Sequence, residues 1–200
     1  MTYNEPIDTA HIEIVIKKSR FIGFAKKVVT REEAIEFIKE LRESYPDARH
    51  VCWAYLLGDP NNSTNCASND DGEPSGTAGK PILAQINYNN IGNVVVVIVR
   101  YFGGIRLGAG GLVRAYRKSA QQALLGLDTE EFVPLEEIII ELPFNEENAI
   151  RQLISSLDGE LIAVDYTSMV KITALLPCSR TPELELSLGN MVAHIHKTLN

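Results

Sequence analysis

Residues 100–118 read RYFGGIRLGAGGLVRAYRK and hold the densest chemistry in the chain. An apolar run delivers Arg100 at its end. Gly103, Gly104, Gly108, Gly110 and Gly111 let a ligand approach the backbone closely. A helix beginning near Leu107 or Ala109 points free N–H groups and a positive dipole end outward. Arg114, Arg117, Lys118 and Gln121 then fall at i, i+3, i+4 and i+7, one basic and polar stripe. Leu112, Tyr116, Ala120, Ala123 and Leu127 take the opposite face as core. This is the chemistry of an anion or nucleic-acid site, to which Arg106 and Lys80 also belong. It is not a dinucleotide fingerprint, because position 113 is Val where GxGxxG needs glycine. It is not a Walker loop either, since Lys80 is followed by Pro81.

A second cluster precedes it. Residues 70–81 read DDGEPSGTAGKP. Asp70, Asp71 and Glu73 offer oxygen ligands to Mg²⁺, or an acid and a base. The spacing is not that of an EF-hand. Gly72 and Gly76 suit a tight turn, and Ser75 and Thr77 can hold it or cap the next helix. The plainer reading is a structured acidic turn. His50 shares a strand face with Cys52, so a Cys–His nucleophile is conceivable, but same-face neighbours seldom reach the required geometry. If His50 faces a cleft, residues 70–73 are its natural partners. An enzyme would then use His50, Asp71 and Glu73. His194 and His196 lack a third ligand and are a weak metal signal.

The elements that must position these groups follow from pattern. Residues 12–16 and 20–28 read as strands with a turn at Lys17, Lys18 and Ser19. Thr30 and Glu33 form a capping box. The helix behind it has Ala34, Ile35, Phe37, Ile38 and Leu41 as its apolar face and ends before Pro46. Residues 50–57 read as a strand with His50, Cys52 and Ala54 on one side and Val51, Trp53 and Tyr55 on the other. Residues 58–79 form a long polar connection. A short helix over 80–89 follows, then a strand over 93–102 buried on both faces, because nothing in it alternates. Beyond it we expect a strand at 136–143, a helix capped by Asn145 and running through Leu157, strands at 160–166 and 169–176, a helix at 180–189 and a strand at 190–197. The order βαββαβ fits a ferredoxin-like sandwich.

Charge separates these parts. The 200 residues carry a net charge of -7, which excludes a globally basic nucleic-acid binder. Residues 1–130 hold 15 basic and 15 acidic side chains, whereas residues 131–200 hold 4 and 11. That asymmetry places a domain boundary near 130, giving domains 1–130 and 131–200. Within the first, residues 80–127 contain no acid and residues 58–79 no base. The basic stretch therefore calls for an anionic partner, or for the acidic loop docked on it. The composition is that of a packed globular chain and excludes a disordered protein, a collagen or a disulfide miniprotein. The longest apolar run, Val94 to Val99, cannot span a membrane. Three cysteines without CxxC spacing and a polar N-terminus suit a reduced, cytoplasmic protein.

Four blocks in order carry a resemblance: SRFI at 19–22, HVCWAY at 50–55, DDGEPSGTAGKPIL at 70–83 and RYFGGIRLGAGGLVRAY at 100–116. Together they resemble the YigZ/Impact family over residues 1 to about 125. Residues 136–200 resemble, more weakly, the small C-terminal domain of its bacterial members. The resemblance implies an α+β protein. Its N-terminal domain would be a sandwich akin to domain 2 of ribosomal protein S5, and its C-terminal domain ferredoxin-like and similar to domain V of elongation factor G. It also implies a theme, because eukaryotic Impact regulates translation by protein–protein competition in the pathway of a kinase that phosphorylates an initiation factor. Three functions compete. The first is a translation-associated regulator that binds RNA or the ribosome through the basic helix and turn. The next is a module for a protein partner. The last is a hydrolase or transferase of a phosphorylated substrate, with Arg100 and Arg106 on the phosphate and a metal at Asp70, Asp71 or Glu73. The second domain is so poor in bases that polyanion contact is expected on the first.

Overall fold

The computed structural model describes residues 2–61 and 64–189, and the backbone alone of 194–199. The chain is a mixed α+β protein of two compact units that part between Phe132 and Val133.

The first unit runs β1 (Tyr3–Pro6), β2 (Thr9–Ile16), β3 (Ser19–Lys27), α1 (Arg31–Ser44), β4 (His50–Leu56), β5 (Cys66–Asn69), α2 (Gly79–Tyr88), β6 (Val94–Tyr101), α3 (Ala109–Leu125) and β7 (Thr129–Phe132). Five strands make an antiparallel sheet in the order β2-β3-β6-β4-β5. Lys17 and Lys18 both have positive φ, 46° and 65°. They form a two-residue turn that matches strand twist, so Ser19 already pairs with Ile16 as the first residue of β3. β6 lies at the centre of the sheet. Its Val94, Val96 and Ile98 pack with Ile82 and Ile86 of α2 and Tyr116 of α3. Val95, Val97 and Val99 pack with Phe37, Ile38 and Leu41 of α1. Helices cover both faces, which is why the strand shows no alternation. Each such side chain contributes about 1.5–3 kcal/mol on burial, so one strand anchors two cores.

The capping box forms. Thr30 Oγ1 accepts the Glu33 N–H at 3.2 Å, and the Glu33 carboxylate accepts the Val29 N–H at 2.8 Å. Ala34, Phe37, Ile38 and Leu41 are buried, but Ile35 is exposed. Its neighbours at i, i+3, i+4 and i+7 already fill the seam against the sheet, and Ile35 lies about 100° around the helix from Ala34. The long connection is not all loop, because β5 lies inside it and pairs with β4. β1 and β7 were not foreseen and form a separate antiparallel pair, Tyr3 opposite Phe132.

The second unit runs β8 (Leu135–Leu142), a single 3₁₀ turn at Phe144–Glu146, α4 (Glu147–Ser156), β9 (Glu160–Tyr166), β10 (Val170–Pro177), α5 (Thr181–Leu188) and β11 (His194–Leu199). The antiparallel strand order is β11-β8-β10-β9, with α4 between β8 and β9 and α5 between β10 and β11 in the chain, the βαββαβ order of elements that the pattern predicts. Ile138, Ile140 and Leu142 alternate inward onto Ile150, Ile154 and Leu184. Asn145 does not cap α4: it sits within the 3₁₀ turn, and its amide donates to the Glu146 carboxylate at 3.0 Å. Residues 190–193 lie outside the described residues, as do the side chains of His194 and His196.

Candidate anion site at the head of α3

β5 ends at Asn69 and sets Asp70 against the start of α2. The Asp70 carboxylate accepts three backbone N–H groups, from Gly76 at 2.7 Å, Ala78 at 2.9 Å and Gly79 at 2.8 Å. Burial pushes its carboxyl upward, but these N–H groups together with Lys80 hold it below the usual range. Asp70 thus serves as the missing cap of α2, whose own N-cap residue, Ala78, has no side chain to offer. Lys80, exposed on the first turn of α2, adds its charge to that arrangement. The Asp71 carboxylate accepts the Val51 N–H at 2.7 Å and pairs with Arg42 at 2.8 Å. Its carbonyl accepts the His50 Nδ1–H at 2.7 Å. Glu73 is buried, forms an ion pair with Arg100 and accepts the Tyr116 hydroxyl at 2.9 Å. Thr77 holds the turn by donating to the Pro74 carbonyl at 2.6 Å, while Ser75 is exposed. The three carboxylates therefore end on three separate sets of partners. Among the described residues no group of three His, Cys, Asp or Glu is placed to hold a metal ion.

Cys52 lies in the core, with Sγ 2.9 Å from the Asp70 carbonyl and 3.3 Å from the Tyr116 hydroxyl. Burial pushes its thiol up to about 12. Its contacts are the Asp70 carbonyl and the Tyr116 hydroxyl rather than His50, and a thiol this weakly acidic is a poor nucleophile, which speaks against a Cys–His pair. Burial likewise holds the Tyr116 phenol protonated, as the donor that Glu73 requires.

The glycine turn is built differently. A Cβ on Gly103 would fall 1.9 Å from the Lys18 carbonyl, so only glycine lets this segment pass the β2–β3 turn. Gly108 starts α3 at φ 71°, a left-handed conformation. No side chain caps α3, and its first turn carries no acid. The N–H groups of Ala109, Gly110 and Gly111 are therefore presented outward, and the Arg114 guanidinium folds back against Gly110. Arg106 is exposed in the turn, beside Gly104.

These parts meet in a cleft of about 380 Å³ lined by Arg49, His50, Glu73, Arg100, Phe102 and Arg106, with Gly108 and Ala109 at its head. His50, Glu73 and the glycine turn are thus brought together, whereas Asp70, Asp71 and Lys80 do not line the cleft. The helix stripe is split. Arg114 and Lys118 share a groove of about 240 Å³ with Lys17, and Arg117 and Gln121 face Tyr88 of α2 across another of about 430 Å³. Among the described residues none of Arg49, Arg106, Arg114, Arg117 or Lys118 pairs with a carboxylate. Arg49 and Phe102 escaped the sequence reading. The Glu73–Arg100 pair did too, although an arginine in a strand buried on both faces demands a carboxylate partner.

With this geometry goes a family. Residues 17–124 match the Impact N-terminal domain, and the chain belongs to the IMPACT family, as its four motif blocks imply. It is 40% identical to the IMPACT family member YigZ of Escherichia coli over 186 residues, 92% of this chain and 91% of that relative. A solved structure described as a hypothetical protein is 36% identical, covers 100% of this chain and 97% of its own, and superposes with a TM-score of 0.67. The two-domain translational regulator Yih1 is 25% identical over 58% of this chain and 45% of its own, with a TM-score of 0.39.

Proposed function

We propose that this protein is a translation-associated regulator whose first unit binds RNA or the ribosome through the exposed face of α3 and the turn before it. The setting comes from the family resemblance, whose eukaryotic members regulate translation. One observation carries the contact. In a chain of net charge -7, Arg106, Arg114, Arg117 and Lys118 are exposed on one helix and its leading turn without a carboxylate partner among the described residues. The acidic loop does not answer this charge; among the described residues its ion pair to a base of residues 80–118 is the one with Arg100. Exposed Tyr88, across a groove from Arg117, adds a ring on which a base can stack. Contact of this kind positions a phosphate backbone without reading sequence. A cytoplasmic setting follows from that role, and among the described residues no helix is long and apolar enough to cross a membrane.

Ribosome co-sedimentation at low and high salt tests this, comparing the native protein with the Arg106/Arg114/Arg117→Ala variant. We expect native protein to pellet at low salt, to be released as salt rises, and to stay soluble when the three arginines are removed. Salt-insensitive pelleting that survives the substitutions would instead establish a protein partner. The hydrolase or transferase reading keeps its cleft, but Glu73 there is tied to Arg100 and Tyr116 and Asp70 and Asp71 do not line it, which leaves His50 to act as a base among the described lining residues.

A further inference from the structure

We infer that the cleft at the head of α3 is a discrete binding site for a phosphomonoester dianion carried on a flat or apolar body, of which a nucleoside monophosphate is the simplest form. Three observations converge. The first turn of α3 presents uncapped N–H groups over Ala109–Gly111, with no acid in that turn. Arg49 and Arg106 line the same cleft and pair with no carboxylate among the described residues, while Arg100 and Glu73 neutralise one another. The cleft thus offers two uncompensated positive charges, the complement of a dianion. The third observation is independent of the helix. Arg100 is 6% exposed and lines the cleft, yet its buried Nε–H has no acceptor among the described residues. Native structures seldom leave such a donor unmet, so the wall of the cleft carries a guanidinium that Glu73 satisfies only in part. His50 is oriented to contribute as well. Its Nδ1–H is committed to the Asp71 carbonyl, which leaves Nε2 as the nitrogen available to a ligand.

The rest of the lining is apolar, with Phe102, Leu107 and Leu112 around the basic end. Phe102 is 51% exposed. A ring on the ligand can stack on it while the phosphate sits at the helix head. The volume, about 380 Å³, is that of a small-molecule site rather than a track for a strand. This site shares Arg106 and the glycine turn with the ribosome reading, but Arg49 precedes β4 and lies off the α3 stripe, so Arg49→Ala tests the cleft without touching Arg114, Arg117 or Lys118.

Isothermal titration of the full chain with adenosine monophosphate, adenosine and cyclic adenosine 3′,5′-monophosphate tests it. The monoester should bind saturably. Adenosine, which lacks the phosphate, and the cyclic diester, with only one charge, should each bind about tenfold more weakly or worse. Arg49→Ala should weaken the monoester by about tenfold. Ala109→Asp should abolish binding by placing a carboxylate where the phosphate sits, and the folded state should survive because an acid in the first turn favours the helix. Absence of saturable monoester binding, equal binding of the cyclic diester, or full binding by Ala109→Asp with an unchanged melting temperature would each overturn the inference.

Discussion

In residues 70–79 every carboxylate ends on a protein partner: Asp70 on three backbone N–H groups, Asp71 on Val51 and Arg42, Glu73 on Arg100 and Tyr116. In residues 106–118 the arginines and Lys118 reach no carboxylate among the described residues. Both segments are glycine-rich and strongly charged, and both read as sites from sequence. What separates them is the fate of the charge. A carboxylate held by backbone amides and a buried arginine organises the fold, whereas a cation left in solvent beside an uncapped helix remains available to a ligand.

Removing Glu73 should give the largest effect. Glu73→Ala leaves Arg100 buried without its counter-charge and should cost about 3–5 kcal/mol of stability in urea denaturation. A loss below about 1 kcal/mol would break the contrast, because the acidic loop would then be as dispensable as an exposed turn. Asp70 comes next. Asp70→Ala leaves the start of α2 uncapped and should cost about 1–2 kcal/mol. Its folded carboxyl lies below the unfolded value, so the stabilisation is fully present above about pH 4 and is lost as pH falls through the depressed folded value. Asp70→Asn should flatten that acid limb of the stability curve. The smallest effect on the fold belongs to the stripe. Substituting Arg114, Arg117 and Lys118 by Ala should change stability by about 0.5 kcal/mol or less per site. The salt slope of any polyanion binding should shrink by about 0.9 for each phosphate that a removed base had neutralised.

Much of this was legible because its causes are local. The Thr30–Glu33 box, the unbroken apolar run of β6 and the buried face of α3 each declare themselves within a few turns of chain. The failures have equally physical reasons. β5, CASN, has neither alternation nor β-branched residues and exists because β4 offers it a partner edge. β1 and β7 pair across the whole first unit, and nothing near Tyr3 predicts Phe132. Asn145 has the residue type of a cap, but a 3₁₀ turn moves the start of α4 one residue on. The site was half legible. Its residue types were visible, but whether Glu73 would meet a metal or Arg100 depended on bringing the loop against β6, which no spacing along the chain encodes.

The β1–β7 pair also bears on how the first unit comes into being. Tyr3 through Pro6 hydrogen-bond to Phe132 through Thr129, and Asn4 is further clasped by Asn90 and Gly92. Synthesis delivers these strands at opposite ends of the unit, so the opening strand can meet Asn90 and Gly92 well before its full partner strand emerges. Joining them closes the longest loop in the unit, and such late, non-local pairing slows folding more than it alters final stability. The five-stranded sheet and its three helices lie wholly between the two strands of the clasp, so closing it ties the two ends of the unit together around them.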